Sequence, residues 1–314
     1  KTPGGEDASL FMNRWRLNLK WNQSDSVKGF VSYDQEILAS DYLKSGDFQL
    51  IQSGEDRNQL FDAIGNVGGG EDFQYRHKLY RGYVDFIQTE EKIRVGRQQI
   101  PWGVGHFFTP TDIFNSIRVT QIEPEERQGV DAISVKTHGF AKAAMDQLEL
   151  VMTPRHGSHT GRFALRAKKE INQWDVSFLG GGRSNDDGFI GFDLSGNVGK
   201  AALRSEAIFV NAETESDYTQ CTVNMDTNFP GNIYGLAEYH FNGQGQNDPS
   251  DYETSRALLG DIIYQGKHYL GLTLGKDITP LWRAEAGAIV NLSDSSVVFI
   301  PVVTRFLTNQ YASE

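Results

Sequence analysis

A two-residue alternation that returns along the whole chain narrows its fold more than any motif does. In "RWRLNLKW", residues 14–21, Trp15, Leu17, Leu19 and Trp21 fall on one side while Arg14, Arg16, Asn18 and Lys20 fall on the other. That is the period of a β-strand with one apolar and one polar face. Val27, Gly29, Val31 and Tyr33 alternate with Lys28, Phe30, Ser32 and Asp34, and Tyr80, Gly82, Val84 and Phe86 alternate with Arg81, Tyr83 and Asp85. Phe163, Leu165, Ala167 and Ile171 stand against Arg162, Arg166, Lys168 and Glu170. Near the end, Ile233, Gly235, Ala237, Tyr239 and Phe241 face away from Tyr234, Glu238 and His240, as Trp282, Ala284, Ala286, Ala288 and Val290 do from Arg283, Glu285 and Asn291. Turn-forming runs such as "NQSDS", "SNDDG", "NFPGN" and "NGQGQNDPSDYETS" separate these segments. The pattern predicts about 14–16 strands joined by connections of unequal length. No fixed-length repeat points to a propeller or solenoid.

Alternation alone fits a water-soluble sandwich or a membrane barrel. The chain has no apolar run of roughly 18 residues that would make a transmembrane helix, but a membrane-crossing strand needs only about 9–11 residues, alternate ones apolar. Two features favour the membrane. The apolar faces are rich in Gly, Ala, Tyr and Trp, where a large sandwich core would favour Val, Ile and Leu. Aromatics including Trp15, Trp21, Tyr80, Phe86, Trp174, Tyr239, Phe241 and Trp282 often fall at or near predicted strand ends, as interfacial girdles do. We therefore expect residues 1–314 to form one all-β domain, a closed antiparallel transmembrane β-barrel. The terminal run "VVFIPVVTRFLTNQYASE" leaves two expectations for closure: either Phe306 lies near the end of the last strand, or a further closing strand is missing from the sequence. The start, "KTPGGEDASLF", has no charged head followed by an apolar core, so a signal peptide is expected to have been removed or left out.

Composition excludes several functions. The formal net charge of -11, with basic residues scattered, argues against nucleic acid as a partner. One cysteine, Cys221, allows neither an internal disulfide nor a thiolate metal cluster, and no covalent haem attachment pattern occurs. His156 and His159 in "RHGSHTG" sit in a predicted turn, "SNDDGFIGFD" lacks the closing glutamate of a calcium loop, and "GNVGGGED" lacks the Lys-Ser/Thr of a phosphate cradle. Without a Gly-x-Ser-x-Gly elbow either, the sequence predicts no enzyme, no metal and no cofactor.

The stretch "RVGRQQIPWGVGHFFTPTDIF" breaks the alternation. If Ile93 and Val95 face lipid, Arg94, Gly96 and Gln98 face the lumen, and Pro101-Trp102-Gly103 ends the strand because proline donates nothing to a ladder. From residue 103 to about 128 there is no clean alternation, and Pro110 and Pro124 interrupt any helix. Connections of that length tend to be functional. Arg76, Arg81, Arg94 and Arg97 on adjacent strands, with Arg118, are the expected pore-lining cations. Trp102, His106, Asp112, Glu123, Glu125 and Glu126 are the expected constriction-loop residues. A basic wall facing an acidic loop would set up a transverse field that sorts solutes by charge and dipole; the same arginines could instead pin the loop through charge-assisted hydrogen bonds.

With "LYRGYVDF" before it, this run resembles a stretch of proteobacterial porin-like outer-membrane barrels, in which a Gly-Arg-Gln strand leads into Trp-Gly and then Pro-x-Asp-x-Phe. The resemblance covers about 45 residues closely, with Ser116 where a second proline is common. It implies an outer-membrane location and a segment, 103–128, folded into or over the lumen. The expected function is passive, charge-biased diffusion of small solutes. The expected surroundings are the lipid bilayer and outer-leaflet lipopolysaccharide, with a homo-oligomer implied by the resemblance. The alternative is a barrel sheath holding a periplasmic or surface multihaem cytochrome in an electron conduit, for which a chain of this length is small.

Overall fold

The computed structural model describes Ser9 to Phe306 except residues 47, 50–59, 61–62, 116–128, 140–144, 155–160, 184–186, 214–215 and 260–261. Among the described residues, sixteen strands form a single antiparallel sheet. In chain order they are β1 (Phe11–Asn22), β2 (Val27–Ala39), β3 (Ile64–Gly69), β4 (Phe73–Ile87), β5 (Glu91–Gln98), β6 (Val130–His138), β7 (Gln147–Thr153) and β8 (Arg162–Ile171). They continue as β9 (Trp174–Arg183), β10 (Gly188–Val198), β11 (Ala201–Asn211), β12 (Tyr218–Phe229), β13 (Ile233–Asn242), β14 (His268–Thr279), β15 (Trp282–Asn291) and β16 (Val297–Arg305). Each strand pairs with its chain neighbours, except that β2 pairs with β4 while β3 lies off the path on β4's other edge.

Connections are tight at one end of the sheet and mostly longer at the other. At the tight end β8 and β9 are joined through Asn172 (φ 52°) and Gln173 (φ 69°), consecutive left-handed residues whose twist matches that of the strands they link. At the other end lie the connections 40–72, 99–129 and 243–267. Outward-facing aromatics ring the tight end: Trp21, Phe86, Trp174, Phe229 and Trp282 each sit in the first or last two residues of a strand.

The two faces of the sheet differ in a way no water-soluble fold tolerates. Phe178 and Leu274 are 63% and 62% exposed, and Trp15, Leu17, Ile190, Met225 and Phe299 are exposed beside them on the outer face. On the inner face Asp34, Glu36 and Glu206 are fully buried, and Arg76, Lys78, Asp193 and Glu238 are nearly so. Apolar side chains outside and charges inside suit a sheet whose outer face meets hydrocarbon, and exclude the sandwich alternative. The expected outer-face positions are found there with one correction. Tyr80 turns inward, because a bulge opposite Ser32 and Tyr33 inserts an extra residue into β4 and flips the parity above it. The same bulge brings both Arg76 and Arg81 to the inner side.

The sheet is strongly curled. Eight strand spacings separate β5 from β13, roughly 38 Å in a flat sheet, yet Phe108, ten residues beyond Gln98, hydrogen-bonds to Glu238 of β13. Among the described residues no ladder joins β1 to β16, so the expected closure is not seen there. With β3 off the path, the remaining odd number of antiparallel strands leaves β1 and β16 running in the same direction.

Candidate functional site

Residues 99–115 leave β5 and cross the inner face towards the far wall. Two buried carboxylates receive them. Glu206 of β11 accepts from the backbone N–H groups of Val104 (3.2 Å), Gly105 (2.7 Å) and Thr111 (3.0 Å), and from the Thr111 hydroxyl. Glu238 of β13 accepts from the N–H groups of His106 (2.6 Å), Phe107 (2.8 Å) and Phe108 (2.7 Å), and from the Asn224 side-chain amide (2.9 Å). A turn with no strand partner thus satisfies its backbone donors on buried carboxyl oxygens. Glycine is required at 105, where a Cβ would stand 1.9 Å from the Phe108 carbonyl oxygen.

Apolar packing fixes the rest of the segment. Ile100, Trp102 and Phe114 join Val130, Ala132, Val151, Ala164, Leu179, Phe189, Ile208 and Val210 in one cluster, filling the space between the segment and the inner faces of β6–β11. The Trp102 indole N–H donates to Glu149 (3.1 Å), and the Ile113 carbonyl accepts from Arg162 (2.5 Å). At the tip, Phe108 meets His240, Tyr264 and Tyr269, and the Tyr264 hydroxyl donates to the Phe107 carbonyl (3.2 Å). The segment is therefore a fixed fill along the β6–β14 side.

The inner wall from β1 to β5, which residues 99–115 do not cover, is cationic. Glu36 is shared by Arg14 (3.0 Å), Arg76 (2.6 Å) and Lys78 (3.3 Å), Asp34 binds Arg16 (2.6 Å), and Asp85 is shared by Arg94 (2.6 Å) and Lys92 (3.1 Å). Six cations thus gather round three carboxylates. Two guanidinium groups are stacked as well, Arg16 at 3.8 Å over Tyr80 and Arg94 at 3.7 Å over Tyr83.

Of the residues singled out from sequence, Arg76, Arg81 and Arg94 lie on this inner wall. Arg97 does not. It shares the outward parity of Ile93 and Val95, is 2% exposed, and pairs with Asp131 (2.9 Å) while donating to the Leu79 carbonyl (3.0 Å). Asp131 in turn accepts from the Leu60 N–H (2.7 Å), so the pair is tied to Leu60 and not to the lumen. His106 is exposed at the segment's tip, whereas Trp102 and Asp112 are buried, Asp112 accepting from the Asn115 N–H (3.2 Å). Arg118, Glu123, Glu125 and Glu126 lie outside the described residues. Glu206 and Glu238, the principal fastenings, were missed. Their only signal was inward parity in "RSEAIFV" and "LAEYHF", and nothing local shows that a segment some 100 residues away supplies their donors.

No family model matches the sequence, and no curated protein matches it. Solved structures do. OmpF of Salmonella typhi, in a complex with daunomycin, superposes with a TM-score of 0.56 over 98% of this chain and 93% of its own, at 10% identity. Vibrio cholerae OmpT, an outer membrane protein in its trimer form, covers 96% of each chain at 10% identity with a TM-score of 0.46. Pseudomonas putida OprB, in a low-pH structure, covers 95% of this chain and 86% of its own at 10% identity with a TM-score of 0.49. The last two likenesses are too loose to carry an argument. The first shows that the chain has a porin-like fold.

Proposed function

We propose that this protein is a passive outer-membrane channel for small solutes, biased towards anions. The observation that carries it is the division of the inner face. Residues 99–115 are fastened by Glu206 and Glu238 to the side opposite the basic wall, so they do not cover Arg14, Arg16, Lys92 and Arg94. A water-filled gap between a fixed segment and a wall with surplus positive charge concentrates anions and repels cations. Arg76 and Arg81 belong to the same lining, and His106 is the constriction residue of the segment's tip. The sheet closes into a barrel at the seam between its end strands, β1 and β16. The apolar outer face sits in lipid, with the aromatic ring of the tight end at one interface. Nothing in the fold favours the cytochrome sheath, since the inner face along β6–β14 is filled by the chain's own segment.

Planar-bilayer recording of the purified protein tests this reading. Steady single-channel conductance with a reversal potential on the chloride side in a KCl gradient is expected, and deletion of residues 104–110 should raise the conductance. Folded protein that conducts in neither form overturns it.

A further inference from the structure

On the cationic wall one pair of aromatic side chains stands among lysines. Phe30 of β2 and Tyr83 of β4 are cross-strand partners on the inner face, their rings 5.4 Å apart and tilted by 40°. Phe30 lies outside the apolar cluster that packs residues 99–115, so its ring serves no core there. The same row of the sheet places Lys20 of β1 beside Phe30 and Gly96 of β5 beside Tyr83. Gly96 has φ 123°, and a Cβ there would stand 2.3 Å from the Gly82 carbonyl oxygen, so that end of the row carries no side chain. The next row towards the tight end pairs Lys28 with Asp85, and Asp85 with Arg94. Asp85 already holds two cations. Arg94 binds it through two nitrogens, at 2.6 and 2.9 Å, with its guanidinium 3.7 Å over the Tyr83 ring, and Lys92 reaches it at 3.1 Å. Lys20 and Lys28 are exposed and make no hydrogen bond or ion pair among the described residues. Neighbours in one row stand about 5 Å apart and successive rows roughly 7 Å, so both ammonium groups reach the space over the Phe30 ring.

We propose that this shelf is a binding site for arenecarboxylates, flat rings that carry their charge directly. The ring stacks on Phe30, and the carboxylate meets the ammonium groups of Lys20 and Lys28. The proposal rests on the channel reading and adds a solute class to it. Lysines alone draw any small anion, and an aliphatic ring of the same charge also gains apolar contact. Only an aromatic ring adds ring-to-ring attraction, worth about three- to tenfold in affinity.

Benzoate and cyclohexanecarboxylate, equal in charge, ring size and carbon number, are the probes, read at neutral pH as block of single-channel chloride current. Benzoate should block at about one third to one tenth of the cyclohexanecarboxylate concentration. Benzamide, flat but uncharged, should not block at those concentrations. Phe30→Leu, which keeps an apolar side chain without the ring, should bring the two carboxylates level, and Phe30→Tyr should keep the benzoate advantage. A conducting, anion-selective wild type that does not distinguish the two carboxylates overturns the shelf and leaves the channel standing. An advantage that survives Phe30→Leu, or a block by benzamide equal to that by benzoate, does the same. Absence of KCl conductance overturns the channel reading, and the shelf with it.

Discussion

Phe108 lies flat on His240, the two rings 4.6 Å apart with planes 3° from parallel. This contact joins the tip of a segment that begins at β5 to the C-terminal part of β13. The His240 ring also meets the Thr222 hydroxyl at 2.9 Å, so the face that receives Phe108 is held in one orientation. Truncating a buried Phe to Ala costs about 3–5 kcal/mol where the site cannot collapse. Phe108→Ala should therefore loosen the tip without unfolding the sheet. The expected result is a noisier, larger conductance with the β-sheet circular dichroism signal retained; an unchanged current record would mean that the tip does not border the conducting path.

The two glutamates make a sharper test. Glu238→Ala leaves the N–H groups of His106, Phe107 and Phe108 without their acceptor, at about 1–3 kcal/mol for each buried unsatisfied group. Glu238→Gln keeps one acceptor oxygen and should lie between wild type and alanine. Glu206→Ala, with Glu206→Gln as its partner, should behave alike for Val104, Gly105 and Thr111. Current fluctuation and protease accessibility of residues 101–115 should rise in the order wild type, Gln, Ala. Equal behaviour of Gln and Ala would show that the carboxylates fill space and do not anchor.

The alternating faces of β1, β2, β8, β13 and β15 were legible in the sequence because a period of two survives any register, and burial of one face follows from it. Tyr80 was not, since one inserted residue reverses the parity and nothing in "KLYRGYV" marks it. Arg97 was assigned inward beside Arg94, although strand alternation puts adjacent residues on opposite faces; its place on the Ile93 and Val95 side follows once that alternation is applied strictly. β3 is a local hairpin with β4, but its sequence "IGNVGG" carries no apolar alternation to announce it, and the Leu60–Asp131 contact is a long-range pairing that local pattern does not encode. For the candidate site, the sequence located the inward segment but not its fastenings, because an inward glutamate on a strand reads the same whether it faces water or a turn.

Charge selection should respond to salt in a defined direction. At 0.1 M ionic strength the Debye length is about 10 Å, and at 1 M about 3 Å. Arg14→Gln, Arg16→Gln and Arg94→Gln should each lower the chloride preference measured from the reversal potential at low salt. Wild-type and variant values should converge near 1 M. A preference unaffected by both salt and substitution would place the selecting charges elsewhere than on the β1–β5 wall.

The orientation of the sheet towards lipid can be tested one side chain at a time. Leu274 points outward from the middle of β14 and is 62% exposed, while Thr273 beside it points inward and is buried. An arginine on the lipid face near the bilayer midplane costs about 2–4 kcal/mol, and less towards the interfaces. Leu274→Arg should therefore lower folding stability in lipid vesicles by that amount. Arginine at Ile278, four residues nearer the aromatic ring of the tight end and 64% exposed, should cost less, because its guanidinium reaches the headgroup region. In a water-soluble protein both substitutions would be harmless, since each replaces an exposed apolar side chain with a solvated charge. The ratio of the two costs, more than their absolute size, therefore separates a hydrocarbon surround from water and locates the bilayer along β14.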